Sequence, residues 1–501
     1  MDIESEQNQD IIDGNNEEVN KGAARTSNQA ARYRKKQRQK QKILDEKNLE
    51  DQQQTQNNKI QAEIDATVEE LVAKKHQELL QETEKQKAII QDLRDEILQR
   101  EDKSDTKIWQ TLEQFLHKFI GIPVHVYPMQ EGRFADYVQR LKELEQARKS
   151  PVDSSDPDFP RSATTFIHEE GLHMGLDEEI LDVLWQVKVT PWGSFSAEEK
   201  RRIETAIEII MDYTKTTPAV TMNSSQKFKA KKQHQQLERA QYHEEDDEDR
   251  NAQHMKKQGK MYAAGWHGTR GERNVDIARY TVRRQGGAST RRRVLGEYTR
   301  TNEGFAYVAE QYAARLASMF PKEARMLSDF AIDNHIPSFA DLEIWLNGEE
   351  AQTPFANSLT ITNQDFANYV HRDRDAIDVA YGWWWTGFKE KARGHWELNE
   401  EYDHDAIKGG EFLLAEYAIA VDFSKTKGLV EIFWRGKKDY HVTMKSTSPR
   451  KVTRFGTSIQ ITQSGIRGMK SLERHGYDPH RIVGHEERVT GAESAIESIA
   501  N

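Results

Sequence analysis

Four side chains toward the C-terminal end have the types and spacing of a redox metal site. His371 and Asp373 are separated by a single residue, His441 comes much later, and Arg454 stands thirteen residues beyond that histidine in Arg454-Phe-Gly-Thr-Ser-Ile-Gln. Two imidazoles and one carboxylate can occupy one face of an octahedral Fe(II), leaving three positions open for a keto acid and oxygen. Along a strand, residues i and i+2 point to the same side, so His371 and Asp373 can face one metal while the third ligand comes from another strand. A planar guanidinium grips a carboxylate bidentately. Arg454, before a strand expected over Thr457–Thr462, is placed to hold the far carboxylate of 2-oxoglutarate, helped by Thr453 or Ser458. The pattern is that of a non-haem iron oxygenase.

His-x-Asp alone is weak and occurs by chance in surface turns; its surroundings give it meaning. Gly409-Gly-Glu-Phe-Leu-Leu, Tyr417-Ala-Ile-Ala-Val-Asp-Phe and Gly428-Leu-Val-Glu-Ile-Phe-Trp are short apolar or alternating runs separated by Gly and Lys turns. They predict a double-stranded β-helix of the jelly-roll or cupin type. The expected fold class is α+β, with this oxygenase domain preceded by a helical, partly coiled-coil and partly disordered N-terminal half.

The block Asn363-Gln-Asp-Phe, His371-Arg-Asp373, Gly409-Gly-Glu-Phe, Ala420-Val-Asp-Phe-Ser, Trp434-Arg-Gly, His441 and Arg454-Phe-Gly-Thr-Ser-Ile-Gln resembles the fungal TET/JBP-like oxygenases. That family of 2-oxoglutarate/Fe(II) dioxygenases oxidises the methyl group of modified pyrimidines in nucleic acid. The resemblance covers the last two-fifths of the chain. It implies His371, Asp373 and His441 as catalytic iron ligands and Arg454 as the 2-oxoglutarate-binding residue. It also implies Fe(II) as cofactor, 2-oxoglutarate as co-substrate, 5-methylcytosine in DNA as chief substrate and a nuclear location.

The whole chain sets bounds. Its 501 residues are 36% hydrophobic and 31% charged, with a net charge of −11, so part of it is expected to lack a packed core. There is no cysteine, which excludes disulfides, thiolate metal sites and a cysteine nucleophile and suits a reducing compartment. The polar start lacks a signal-peptide core, and no run approaches a membrane span, so a soluble intracellular protein is expected.

Residues 1–20 are polar, acidic and expected to be disordered. Residues 21–103 combine a basic region with a long helix or coiled coil. Lys21 to Lys42 holds nine Lys or Arg and no acid, and apolar residues recur afterwards at Ile60, Ile64, Val68 and Leu71. This plan is that of a bZIP dimer, and Asn28-Gln-Ala-Ala-Arg-Tyr-Arg34 resembles that family's basic signature, with shorter spacing and irregular heptads. A specific DNA contact, a localisation or phosphate-binding patch and a solvated charge run all remain open. Self-association through the coiled coil is a further expectation.

Residues 104–219 are read as helical. One stripe is Trp109, Leu112, Phe115, Leu116 and Phe119, stopped by Gly121 and Pro123; another is Ile180, Leu181, Leu184 and Val187. Ser196-Ala-Glu-Glu199 forms a capping box before Ile203, Ile207, Ile210 and Met211. His168 and His173 resemble a zinc-protease pair but are five apart, about 140° around a helix, so a structural role is expected. Residues 220–258 read as a charged linker, 259–480 as the oxygenase domain and 481–501 as a tail. The oxygenase domain opens with Arg270, Arg273, Arg279, Arg283 and Arg284, then Gly286-Gly-Ala-Ser-Thr and Arg291-Arg-Arg293. A charged mobile hairpin tracking a nucleic-acid backbone and an ordinary exposed turn fit this stretch equally. The helix carrying Phe305, Val308, Tyr312, Leu316 and Met319 is expected to buttress the sheet. In Trp383-Trp-Trp385, alternate residues share a face; either outer tryptophan suits base stacking or the core.

Two rivals accompany the main reading. One is an oxygenase acting on protein or RNA. The other is a DNA-binding regulator working through the basic N-terminal helix; the intact His371, Asp373, His441 and Arg454 argue against an inactive C-terminal domain.

Overall fold

The computed structural model describes residue 85 and residues 88–100, 106–220, 258–269, 274–283, 286–342, 354–389, 396–398 and 403–500. The chain divides into two units, Met1–Leu93 and Arg94–Asn501, and the second holds every strand among the described residues. The expected disordered start, the basic region with most of its coiled coil, and nearly all of the charged linker lie outside the described residues.

The first apolar stripe forms helix α1 (Thr106–Ile120), burying Trp109 and Leu112 and ending where Gly121 adopts a φ of +80°. Beyond it the helical expectation for 104–219 fails. Strands β1 (Val124–Met129), β2 (Thr165–Ile167), β3 (Gly171–Asp177) and β4 (Val183–Thr190) alternate with helices α2 (Ala135–Arg148) and α3 (Ala197–Thr216). The stripe from Ile180 misled because a turn followed by a strand reproduces helix-like spacing. Leu181 sits in the turn with φ +58°. Leu184 and Val187 lie on β4, where Val183, Val187 and Val189 favour a pleated, half-buried surface. The capping box holds: Ser196 accepts from the Glu199 N–H, and Glu199 reaches back to Ser196. Ile203, Ile207, Ile210 and Met211 form the buried face of α3.

Strands β5 (Gln258–Gly268), β6 (Ile277–Arg279), β7 (Ser358–Ala367), β8 (Ala380–Lys389) and β9 (Trp396–Leu398) precede the short pieces β10 (Lys408–Gly409), β11 (Phe412–Leu414) and β12 (Ile419–Val421). They are followed by β13 (Leu429–Trp434), β14 (His441–Thr443), β15 (Ser446–Thr447), β16 (Val452–Gln460) and β17 (Ile482–Val483). Among the described residues the large sheet runs β1-β3-β4-β13-β8-β16-β7-β5-β6-β17, with β9 beside β8; a smaller sheet runs β14-β11-β12-β2. Because β4 pairs antiparallel with β13 and β2 pairs with β12, the segment before the linker completes the same two sheets. It is not a separate helical unit.

Three apolar layers follow. Trp384, Phe412, Phe423, Ile432 and Trp434 fill the space between the two sheets, as a double-stranded β-helix requires. Helix α2 covers the outside of the small sheet, packing Leu141 and Leu144 with Leu413, Ala420 and Val442. The far face of the large sheet packs on α3, α4 (Ala288–Glu303), α5 (Phe305–Met319) and α6 (Pro321–Asp333). There, as expected of a buttress, Tyr312 of α5 stacks on Trp383 with ring centroids 3.9 Å apart.

Helix α7 (Gln463–Arg474) also packs on this face, and the expected tail ends instead in helix α8 (His485–Ala500), which buries Ala492 and Ile496. The glycine pair expected in a mobile hairpin leads directly into α4, with Gly287 as its N-cap. Arg279 is buried, donating to the carbonyls of Phe339 and Ala340 at 2.9 Å each; Arg270, Arg273 and Arg284 lie outside the described residues. No helix among the described residues is long and apolar enough to cross a membrane.

Candidate metal centre

His371 lies between β7 and β8, not within a strand. It is nevertheless fixed like a strand residue, because it forms an antiparallel bridge with His441, the first residue of β14. The His371 N–H donates to the His441 carbonyl at 3.1 Å and the His441 N–H to that of His371 at 3.0 Å. The Asp373 N–H donates to the Gly436 carbonyl at 2.8 Å. Two backbone anchors therefore do what an uninterrupted strand was expected to do, bringing the His-x-Asp pair and the distant histidine to one point.

Asp373 Oδ1 lies 3.3 Å from His371 Nε2, and Oδ2 lies 3.2 Å from His441 Nε2. One ligand atom from each residue falls within 4.8 Å of the others. Both imidazoles are oriented from behind: Nδ1 of His371 donates to the Tyr369 carbonyl at 2.7 Å, and Nδ1 of His441 to the Asp439 carbonyl at 3.0 Å. That arrangement places the Nε2 lone pairs toward Asp373, as metal-ligating histidines require. Burial alone would raise the Asp373 pKa, but the two imidazoles hold the carboxyl far below its ordinary value. Burial opposes the charged form of His441, and Asp373 outweighs it, leaving that pKa raised. A charge set that mutually stabilises an anion between two basic nitrogens fits a divalent cation. Behind the cluster, Arg435 grips Asp439 bidentately at 2.9 and 2.7 Å and fixes the turn into β14.

The three residues open on a cavity of about 520 Å³. Trp384, Phe412 and Trp434 wall it, Thr360 and Ser458 add hydroxyls, and Arg372 and Arg374 stand on its exposed side. Alternation along β8 works against the expected role of Trp383 and Trp385. Both are fully buried toward the helices, and it is Trp384, between them, that faces the cavity.

Arg454 is not among the residues lining this cavity. Its strand starts at Val452, earlier than expected. The guanidinium, 9% exposed, donates from Nε to His404 Nδ1 at 3.2 Å and from Nη1 to the Gly409 and Gly410 carbonyls at 3.0 and 3.2 Å. It lies over the Phe423 ring, 4.6 Å from the centroid. Rings of Phe423, Trp384 and Trp434 then lead to His441 in steps of 5.9, 6.1 and 5.6 Å. Among the described residues no carboxylate forms an ion pair with Arg454, and burial lowers its pKa to about 10. Of its expected helpers, Ser458 lines the cavity, whereas Thr453 Oγ1 accepts from the Gln364 N–H at 2.7 Å.

Two contributors carried no sequence signal. His404 is fully buried; its Nε2 donates to the Gly428 carbonyl at 3.0 Å, leaving Nδ1 to accept from Arg454. Burial and then Arg454 push its pKa down to about 3. Glu145, on α2, accepts the Val370 N–H on both oxygens at 3.1 and 3.2 Å, next to His371. The His168/His173 pair is structural as expected: His173 is buried, with Nδ1 3.1 Å from the Tyr127 hydroxyl and Nε2 3.0 Å from the Glu169 carbonyl.

Two facing sheets with a His-Asp-His cluster at a cavity between them define the class, a cupin-type non-haem oxygenase. Residues 205–446 match the family model of the Tet-like 2OG-Fe(II) oxygenase superfamily, and the chain carries a 2-oxoglutarate- and Fe(II)-dependent dioxygenase domain. The matched segment contains His371, Asp373 and His441 and stops before Arg454. No curated protein matches. Among solved structures, NgTET1 in complex with 5mC DNA is similar at 11% identity and a TM-score of 0.30, over 69% of this chain and 100% of that one.

Proposed function

We propose that the enzyme oxidises the 5-methyl group of methylated pyrimidines in nucleic acid, chiefly 5-methylcytosine in DNA, with His371, Asp373 and His441 as the iron ligands. The observation that carries the substrate is the composition of the cavity: flat apolar walls from Trp384, Phe412 and Trp434 beside the cluster, and Arg372 and Arg374 outside them. An extruded base needs apolar or aromatic faces to replace its stacking, and its backbone needs cations. Arg372 is itself braced, 4.0 Å above the Tyr440 ring.

When bound, Fe(II) with 2-oxoglutarate and oxygen supplies the oxidant that hydroxylates the methyl group. The chain's own tasks are to orient the ligands through Tyr369 and Asp439, to exclude water with the aromatic wall and to hold the keto acid. For that last task we assign Arg454, a buried cation whose partners are carbonyls and one neutral imidazole, aligned by His404. A second reading is favoured by one observation: Arg372 and Arg374 line the cavity and Arg454 does not, so a rim arginine would take the distal carboxylate.

The test is to supply the full chain with Fe(II), 2-oxoglutarate, oxygen and matched methylated DNA or RNA, then identify nucleosides by mass spectrometry. Oxidised 5-methylcytosine from DNA, absent with His371→Ala/Asp373→Ala, supports the proposal. Succinate release without a nucleoside product would move the substrate to another class, such as protein, and a product from RNA alone would replace DNA.

A further inference from the structure

On the opposite face of the large sheet lies a second cavity, of about 430 Å³. Strand alternation separates the two. Met261 of β5 lines the iron-site cavity, whereas its neighbours Lys260 and Tyr262 line the second; on β7, Thr362 and Phe366 line the first, and Gln364 reaches the second because the alternation breaks where Gln364 and Asp365 adopt φ of +56° and +58°. Five cations from separate parts of the chain converge there: Lys215 of α3, Lys260 of β5, Arg283, Arg293 of α4 and Lys389 of β8. Among the described residues Glu297 is the one acid in the lining, and its Oε1 is taken by Arg293 at 2.7 Å. Lys215 already pairs with Asp212, outside the lining.

Lys260 and Lys389 form no ion pair among the described residues. Lys389 instead lies 5.5 Å from the centroid of the Trp396 ring, at the same cavity. Part burial, then the charges of Arg283 and Lys389, lower the Lys260 pKa. Like charges brought this close repel unless an anion separates them, and among the described lining residues Glu297 alone is acidic. The start of α4, with Gly286 and Thr290, opens on the same space and adds the positive end of a helix dipole.

We propose that this cavity is a second binding site, for a phosphate-bearing anion. A phosphate offers several acceptor oxygens to cations arriving from different directions, which a single carboxylate does not. The group comes either from a free phosphate ester or from the backbone of a nucleic-acid strand. The site is independent of the chemistry at the iron cavity, so it stands or falls separately from the proposed substrate.

The experiment uses the full chain at low salt. Pyrophosphate binding is measured by isothermal titration calorimetry, and binding of a short unmethylated single strand by fluorescence anisotropy. Both are repeated on Lys260→Glu/Lys389→Glu and on the milder Lys389→Gln, with 2-oxoglutarate binding as the control for an intact fold. The expected result is saturable pyrophosphate binding, weakened about tenfold or more by the double charge reversal, weakened less by Lys389→Gln and reduced by added salt. Competition between strand and pyrophosphate, with both weakened by the variant, assigns the phosphate to nucleic acid. Loss of pyrophosphate binding alone assigns it to a free ester. Absence of pyrophosphate binding in the wild type, or equal affinity in the wild type and in variants that retain 2-oxoglutarate binding, overturns the site.

Discussion

His371 and His441, seventy residues apart in the chain, face each other across a reciprocal pair of backbone hydrogen bonds of 3.1 and 3.0 Å. Their rings sit 4.5 Å apart, each turned by a carbonyl two residues upstream. The bridge fixes the backbone of both histidines relative to each other, as a metal centre would require of its scaffold.

The bridge leaves Asp373 to be placed by Gly436. A Cβ at that glycine would stand 2.9 Å from Asp373 Oδ2 and 3.3 Å from Asp375 Oδ2. Gly436→Ala is therefore expected to displace the carboxylate and weaken Fe(II) binding about tenfold. Anaerobic iron titration alongside thermal unfolding reads this, with the unfolding temperature nearly unchanged.

Arg454→Lys keeps the charge and loses the planar fork. If Arg454 holds the keto acid, the KM for 2-oxoglutarate rises about tenfold or more, while Fe(II) affinity stays the same. The same measurement on Arg374→Gln decides between the two arginine readings: a larger rise there would move the carboxylate to the rim.

Glu145 predicts a pH dependence of stability. Burial first, against the partial help of the Val370 and Val152 N–H groups, raises its pKa from 4.5 to about 8. A raised folded-state value means the fold is favoured when the group is protonated: its contribution is full below 4.5 and is lost as pH rises through about 8. Glu145→Gln retains an acceptor for Val370 and cannot titrate. Its unfolding temperature relative to the wild type should climb across that window and level off above it, and a flat difference would contradict the assignment.

The chemistry was legible in the sequence further than the architecture. His371, Asp373 and His441 stood out by residue type and spacing, and the structure brings the three together; the double-stranded β-helix showed in the strand runs after Gly409. The strands β1 to β4 did not, because their apolar runs are short and the partners that tie β4 and β2 into the sheets, β13 and β12, lie more than two hundred residues away. His404 and Glu145 had no legible signal for the same reason: only the fold brings them to Arg454 and Val370. Trp384 was missed by one position, since alternation names two faces without saying which faces the cavity.

The helical side of the large sheet carries its own test. Arg315 donates bidentately to Glu431, at 2.7 Å from Nε and 2.5 Å from Nη2, and Glu431 is 0% exposed. Tyr381 completes the network by donating its hydroxyl to Glu431 at 2.5 Å. Arg315→Leu leaves a buried carboxylate without its cation and should cost about 3–5 kcal/mol, read by chemical denaturation. Arg315→Leu/Glu431→Leu should recover much of that loss.

The most direct test of the metal centre is an anaerobic titration of the full chain with Fe(II) in the presence of 2-oxoglutarate. It is followed by the visible charge-transfer band of the iron–keto acid complex. The expected result is saturation at one iron per chain, with the band lost in His371→Ala, Asp373→Ala and His441→Ala separately, while each variant keeps the wild-type circular dichroism. A band that persists undiminished in any of the three variants, or never forms in the wild type, would contradict the assignment of these residues as the iron ligands.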